Sequence, residues 1–285
     1  MIKTPPGWGA DMVTRAYNSF ASTSRQDAEL QVGTRASLAV CRISGADLGW
    51  ALRRGFEDFG AARTDVIFLC VLYPLIGLLL ARLAFGYEFL PLVFPLAAGF
   101  ALVGPVAGVG LNEISRRREL GEQVGWFDAF NVFRSPSIVG IMLLGFVLLG
   151  MLLAWLVVSQ LLYVLTMGPQ APASLGDFVY QMLHTSAGWT MMIVGIGIGF
   201  VFAAIALTIG AVSFPLLLDR AVSLETAVRT SAEVVRRNPL TMAAWGLIIA
   251  VSLVLGSIPL LLGLVFVMPV LGHATWHLYR RAVPR

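Results

Sequence analysis

Between residues 138 and 166 the chain runs for 29 positions without an Asp, Glu, Lys or Arg. About 20 apolar residues cross a bilayer as a helix, so a stretch of this kind has few other places to go. The signature recurs at residues 90–111, 189–214 and 240–278, and residues 66–85 form a further apolar run interrupted only by Arg82 near its end. Inside hydrocarbon the backbone satisfies its own hydrogen bonds only as a helix or a closed barrel, and runs this long suit helices. The charged fraction of 13% and the mean hydropathy of +0.81 agree, since soluble domains carry about 25% charged residues.

The 29-residue run exceeds one crossing and is expected to tilt or project. The last run holds 39 residues, enough for two short crossings about a tight turn. Gly256, Ser257 and Pro259 can supply that turn, which predicts a hairpin near 256–260. Pro91 suits a first helical turn, whereas Pro105 falls mid-run and should kink its helix.

Threading follows from the basic residues. The first 65 residues hold eight, segments 112–137 and 215–239 hold four each, and the C-terminus holds three. The links at 86–89 and 168–188 hold none. This alternation predicts a bacterial inner-membrane protein with six spans, the tail, both charged loops and both termini being cytoplasmic. The same scatter argues against a nucleic-acid partner despite a net charge of +4, because no single basic face forms. Residues 1–45 are polar and read as a disordered tail, with the membrane domain over 46–281. The first 40 residues lack the apolar core of a cleaved leader. Cys41 and Cys70 are too differently placed to suggest a disulfide or a metal site.

A unit repeats three times: a short cytoplasmic amphipathic helix, a span, an outer link and a second span. The amphipathic stretches are Leu52, Phe56 and Phe59; then Trp126, Phe130 and Phe133; then Leu224, Val228, Ala232 and Val235. In the third, Glu225, Arg229, Glu233 and Arg237 line the opposite side at i+4 spacing. Such helices either lie in the inner membrane surface with the apolar face down, or pack on one another as a cap. The fold class is therefore all-α and polytopic, with six transmembrane helices as three hairpins.

Three pieces carry a family resemblance: PLAAGFALVGPVAGVGLNEISRRRELGE at 95–122, MPVLGHATWHLYR at 268–280, and WALRRGFEDF at 50–59. They resemble an uncharacterised bacterial integral-membrane family, domain of unknown function 2189, over roughly residues 48–281. The resemblance implies six spans and no assigned activity. Some members are labelled as similar to cytochrome c oxidase subunit I. That label can be tested on ligands: a haem–copper core needs about six imidazoles, and this chain has only His184, His273 and His277.

His273 and His277 share one helical face at i, i+4, which could hold one edge of a metal or haem site; with no carboxylate beside them in sequence, an interfacial polar role is the alternative. Gly195 and Gly199, like Gly104 and Gly108 around Pro105, are candidates for close helix packing. The second pair could also mark a broken helix beside a substrate cavity. Arg116, Arg117, Arg118, Arg236 and Arg237 are candidates for contact with lipid phosphates or a partner. The last four spans carry no charged residue, which weighs against an ion-driven carrier. With Lys3 the sole lysine there is no Walker lysine, and H-E-x-x-H and G-x-S-x-G are absent.

These features predict a non-enzymatic membrane scaffold or accessory protein, without a cofactor, that binds lipids or a membrane-protein partner. The first alternative is a channel or carrier for a small neutral substrate. The second is a haem- or metal-binding accessory of a respiratory complex.

Overall fold

The computed structural model describes residues 38–61, 90–259 and 262–284. Most of the tail and the expected first span, 66–85, lie outside them. The described chain is helical. In order it forms α1 Gly45–Ala61, α2 Leu90–Ala107, α3 Val109–Glu119, a 3-10 helix Trp126–Arg134 and α4 Ile138–Met167. Then follow α5 Leu175–His184, α6 Ser186–Gly210, α7 Ser213–Asp219, α8 Leu224–Arg237, α9 Pro239–Ser257 and α10 Leu264–Ala282.

Three segments are long and apolar enough to cross a membrane: α4, the stretch Ser186–Asp219 that joins α6 to α7, and α9. The expected second and sixth spans appear as the helices α2 and α10, which do not count among those three. α4 exposes most of its surface and buries one stripe, Ile141, Leu144, Leu148, Trp155, Ser159 and Tyr163. A helix in lipid need bury only the face that meets other helices, because acyl chains solvate the rest.

Pro105 has no N–H to offer the Ala101 carbonyl, and α2 ends two residues later. A single turn residue, Gly108, whose backbone stays right-handed helical (φ −73°, ψ −14°), separates α2 from α3. The hydrogen bonds Gly108 N–H to Gly104 O and Asn112 N–H to Gly108 O, both 2.9 Å, carry the helix across the break. The interruption is packed: a Cβ on Gly210 would lie 3.4 Å from Pro105 Cγ, and one on Gly108 would lie 3.8 Å from Gly272 Cα. The run 240–278 divides at 258–263 into α9 and α10, and Gly256 and Gly263 approach closely there.

The link 168–188, expected as plain connection, contains α5. Ser174 Oγ accepts from Asp177 N–H at its start, and Thr185 Oγ1 accepts from Gly188 N–H to begin α6. These are N-caps that satisfy the first free amides of each helix.

At the opposite end the arginine-bearing segments converge. Residues 38–44, at the end of the stretch read as disordered tail, form an ordered strap. Cys41 N–H bonds to Ala282 O at 2.8 Å, and Ile43 N–H to Asn238 Oδ1 at 2.8 Å. Asn238 Nδ2 and Arg237 Nη1 return bonds to the strap carbonyls of Cys41 and Val40. Asn238 separates α8 from α9, whose first residue is Pro239, as the sequence requires of Asn-Pro. The largest buried side chains outside the α4 stripe gather here: Phe214, Leu216, Leu217, Met242, Trp245, Trp276 and Tyr279. The strap, α1, α3, the α7–α8 segment and the end of α10 thus share one end of the bundle.

Two of the three amphipathic stretches present faces other than those expected. α1 buries Leu48, Ala51, Gly55 and Asp58 against α10 and leaves Phe56 exposed. Small residues win that face because the helices approach until a Cβ on Gly55 would lie 2.6 Å from Val270 O. The second stretch is a 3-10 helix, so its faces repeat every three residues rather than every 3.6. The third, α8, buries Ala227, Thr230, Ser231 and Val234, with the expected Leu224, Val228 and Val235 partly buried at the edge of the core and Glu225 and Arg229 exposed.

Candidate functional site

The last two turns of α10 are the hub of this end. His273 and His277 project from it at i, i+4, together with Trp276, Tyr279, Arg280 and Arg281. The carboxylate missing from their sequence neighbourhood comes from α1, and a hydroxyl comes from α3. His277 Nε2 lies 2.9 Å from Asp58 Oδ2, and Ser115 Oγ lies 2.5 Å from the same oxygen and 2.8 Å from His273 Nδ1. Arg118 Nη1 reaches Asp58 Oδ1 at 2.9 Å and the Glu57 carbonyl at 3.4 Å. Asp58, Ser115, His273 and His277 are all buried, Ser115 and His273 completely.

Hydrogen-bond roles follow from the donor inventory. An ionised carboxylate only accepts, so Asp58 takes protons from Arg118, His277 and Ser115. Burial alone would raise the Asp58 pKa, but the bonds from His277 and Ser115 outweigh it and hold the carboxyl below its usual range. Ser115 has a single hydroxyl proton. Directed at Asp58, it leaves the Ser115 oxygen to accept from His273 Nδ1–H. His273 Nε2 is then the unprotonated nitrogen, and it is buried without a hydrogen-bond partner among the described residues. This polarity is opposite to that of a nucleophilic serine, whose proton must point at an imidazole acceptor. The cluster can fasten three helices; it is not arranged to activate an attack.

Around it the other expected site residues take up definite places. Arg116 grips Glu113 through Nε at 2.7 Å and Nη2 at 2.9 Å. Arg117 bonds Glu113 at 2.7 Å, Glu122 at 3.3 Å and Asp128 at 3.2 Å. Arg118 belongs to the Asp58 cluster. All three guanidinium groups therefore meet carboxylates of this same chain. Arg236 and Arg237 share Glu233, whose pKa their three hydrogen bonds hold down to about 2, and both arginines remain exposed. A second polar group adjoins the first: Trp276 Nε1 and Arg280 Nε both bond Glu119, and Tyr279 OH donates to Asp219 at 2.7 Å. Arg281 lies over Trp50 at 4.3 Å from the ring centroid, and His277 meets the same ring edge-on.

The candidate packing glycines lie elsewhere. A Cβ on Gly199 would fall 3.1 Å from the Trp155 ring, and one on Gly195 would fall 3.4 Å from Leu162. Trp155 also donates its indole N–H to Pro95 O at 3.0 Å, tying α4 to α2. A Cβ on Gly104 would lie 3.8 Å from Met268 Cε of α10. Sequence reasoning missed Asp58 and Ser115, which lie 219 and 158 residues from their histidine partners. WALRRGFEDF does contain Asp58, but nothing local singles it out from Glu57.

Residues 93–219 match the family described as a predicted integral membrane protein, domain of unknown function 2189. That match takes in α3, the 3-10 helix, α4 to α7 and most of α2, and ends at Asp219. No curated protein and no solved structure matches the chain.

Proposed function

We propose that this protein is a non-enzymatic scaffold or accessory protein of a bacterial inner membrane, binding a membrane-protein partner or lipid through its spans and its arginine-rich end. In this reading the six spans form three hairpins, with both termini and the polar cap cytoplasmic. The polarity of the Ser115–Asp58–His277–His273 cluster carries it: these side chains are closed in and, His273 Nε2 apart, spent on one another. What the cap offers outward is charge and shape, chiefly Arg53, Arg229 and Arg236, each more than three-quarters exposed. The metal or haem alternative is disfavoured because His277 Nε2 and His273 Nδ1 are engaged with Asp58 and Ser115, which leaves His273 Nε2 with no further set of ligands grouped beside it among the described residues. The carrier alternative is disfavoured because, among the described residues, Gly210 packs against Pro105 and Gly272 against Gly108 where a cavity was expected.

Isolation in mild detergent tests the reading. One membrane protein or lipid class should accompany the wild type in fixed stoichiometry and be lost from the Arg229→Ala, Arg236→Ala double variant, which removes only exposed ion pairs, keeps the Arg237 bond to the strap and should change thermal stability little. Solute flux through liposomes holding the purified protein alone would favour the carrier instead.

A further inference from the structure

We propose that the 3-10 helix Trp126–Arg134 is a phospholipid-binding element, with Phe127, Phe130 and Phe133 seated among acyl chains at the headgroup boundary. This rests on the scaffold reading only in taking the chain to span a membrane.

With three residues per turn, positions three apart stack directly above one another. The sequence from 126 to 134 then sorts into three clean faces. Ala129 and Val132 turn inward; Val132 is buried, and Ala129 Cβ stands 3.0 Å from where a Cβ on Gly110 of α3 would be. Asp128, Asn131 and Arg134 form a polar face. Phe127, Phe130 and Phe133 form an outward ridge, exposed by 66%, 46% and 69%, with the last two rings stacked at 6.4 Å. An α-helical pitch would spread these three rings over about 120°. The 3-10 pitch gathers them onto one line.

The element is rigidly placed. Asp128 accepts from Gly125 N–H at 2.8 Å, from Asn131 Nδ2 at 2.9 Å and from Arg117 Nη1 at 3.2 Å, which fixes its start to α3. At its end Ser135 N–H bonds to Val132 O, and Ile138 N–H bonds to Ser135 O at 3.1 Å. That closed turn keeps the positions of Ser135 and Ile138 within about 7 Å. Ile138 begins the 30-residue apolar helix α4. The ridge therefore stands about one turn from the place where the chain enters hydrocarbon.

Its composition selects the occupant. Protein hot spots favour Trp, Tyr and Arg, which combine an apolar body with a hydrogen-bonding tip. Three phenylalanines in a row offer only apolar surface, which suits acyl chains. Arg134, exposed at the end of the row, is placed for a lipid phosphate.

Benzoylphenylalanine placed in turn at Phe127, Phe130, Phe133 and Asn131, followed by irradiation in native membranes, tests this. Each variant must first elute as the wild type does, which the near-isosteric aromatic replacement favours. Phospholipid adducts are expected at the three ridge positions, several-fold above the yield at Asn131. Adducts to polypeptide at the ridge (a second copy included), equal lipid yield at Asn131, or no adduct at the ridge would each overturn the assignment. Lipid adducts form whether or not a protein partner co-isolates, so failure of the scaffold reading leaves this result unchanged.

Discussion

Asp58→Ala lowers the thermal midpoint of the detergent-solubilised protein by roughly 6–12 °C. The substitution strips the shared acceptor from Arg118, His277 and Ser115 at once. Removing one partner of a buried, hydrogen-bonded charge pair costs about 3–5 kcal/mol. Arg118 is partly exposed and recovers some hydration, which places the loss near the lower bound, about 3 kcal/mol. Each kcal/mol moves the midpoint by about 2–4 °C in a chain of 150–250 residues. Glu57→Ala, one residue earlier, is the control. Its ion pairs with Arg53 and Arg54 are exposed, and such pairs contribute about 0–1 kcal/mol. Equal shifts for the two variants would mean that Asp58 fastens nothing.

The second large effect is at Gly55. A Cβ there would lie 2.6 Å from Val270 O and 2.9 Å from both Ala274 N and Ala274 Cβ. Two of those three contacts are backbone atoms of α10, so no rotamer change relieves them. Gly55→Ala should cost about 1–3 kcal/mol through overpacking. Gly55→Leu should displace α1 from α10 altogether and take Asp58 with it. Trypsin would then cut at Arg53 and Arg54, which the wild type protects through the helix. Gly49 makes the opposite case on the same helix. Its Cβ would meet nothing within 4 Å, so Gly49→Ala should stabilise by about 0.5–1 kcal/mol through helix propensity. Destabilisation at both glycines alike would show that α1 is not docked as described.

How much of this the sequence discloses depends on range. Apolar length is a local property, and the run expected at 138–166 emerges as α4, Ile138–Met167. The period and caps of α8 are equally local, and Leu224–Arg237 forms with Ser223 as its N-cap. The Asp58 cluster is not local: one sequence has no means of pairing residue 58 with residues 115 and 277. The pitch of Trp126–Arg134 is hidden for another reason. Trp126, Phe130 and Phe133 suggest an α-helical stripe while Phe127, Phe130 and Phe133 suggest a 3-10 ridge, and the sequence alone does not choose between the two pitches. On α1 the larger residues, Leu52, Phe56 and Phe59, suggest the packed face. Gly55 and Ala51 win it because α10 approaches closest to the smallest side chains. The helix α5 escapes notice because a ten-residue amphipathic helix leaves little mark in a link judged by its lack of charge.

The central claim is that the arginine-bearing segments, whose carboxylate partners bind them across α1, α3, α7 and α10, form one cap on one side of a membrane. Cysteines introduced singly at Gly121, Ala221 and Gln170, all exposed, in a background with Cys41 and Cys70 replaced by serine, test it with a membrane-impermeant maleimide. The account predicts labelling of position 170 in intact cells, and labelling of 121 and 221 only after the membrane is opened. Labelling of 121 and 221 from opposite sides, or of 170 from the same side as either, would contradict it.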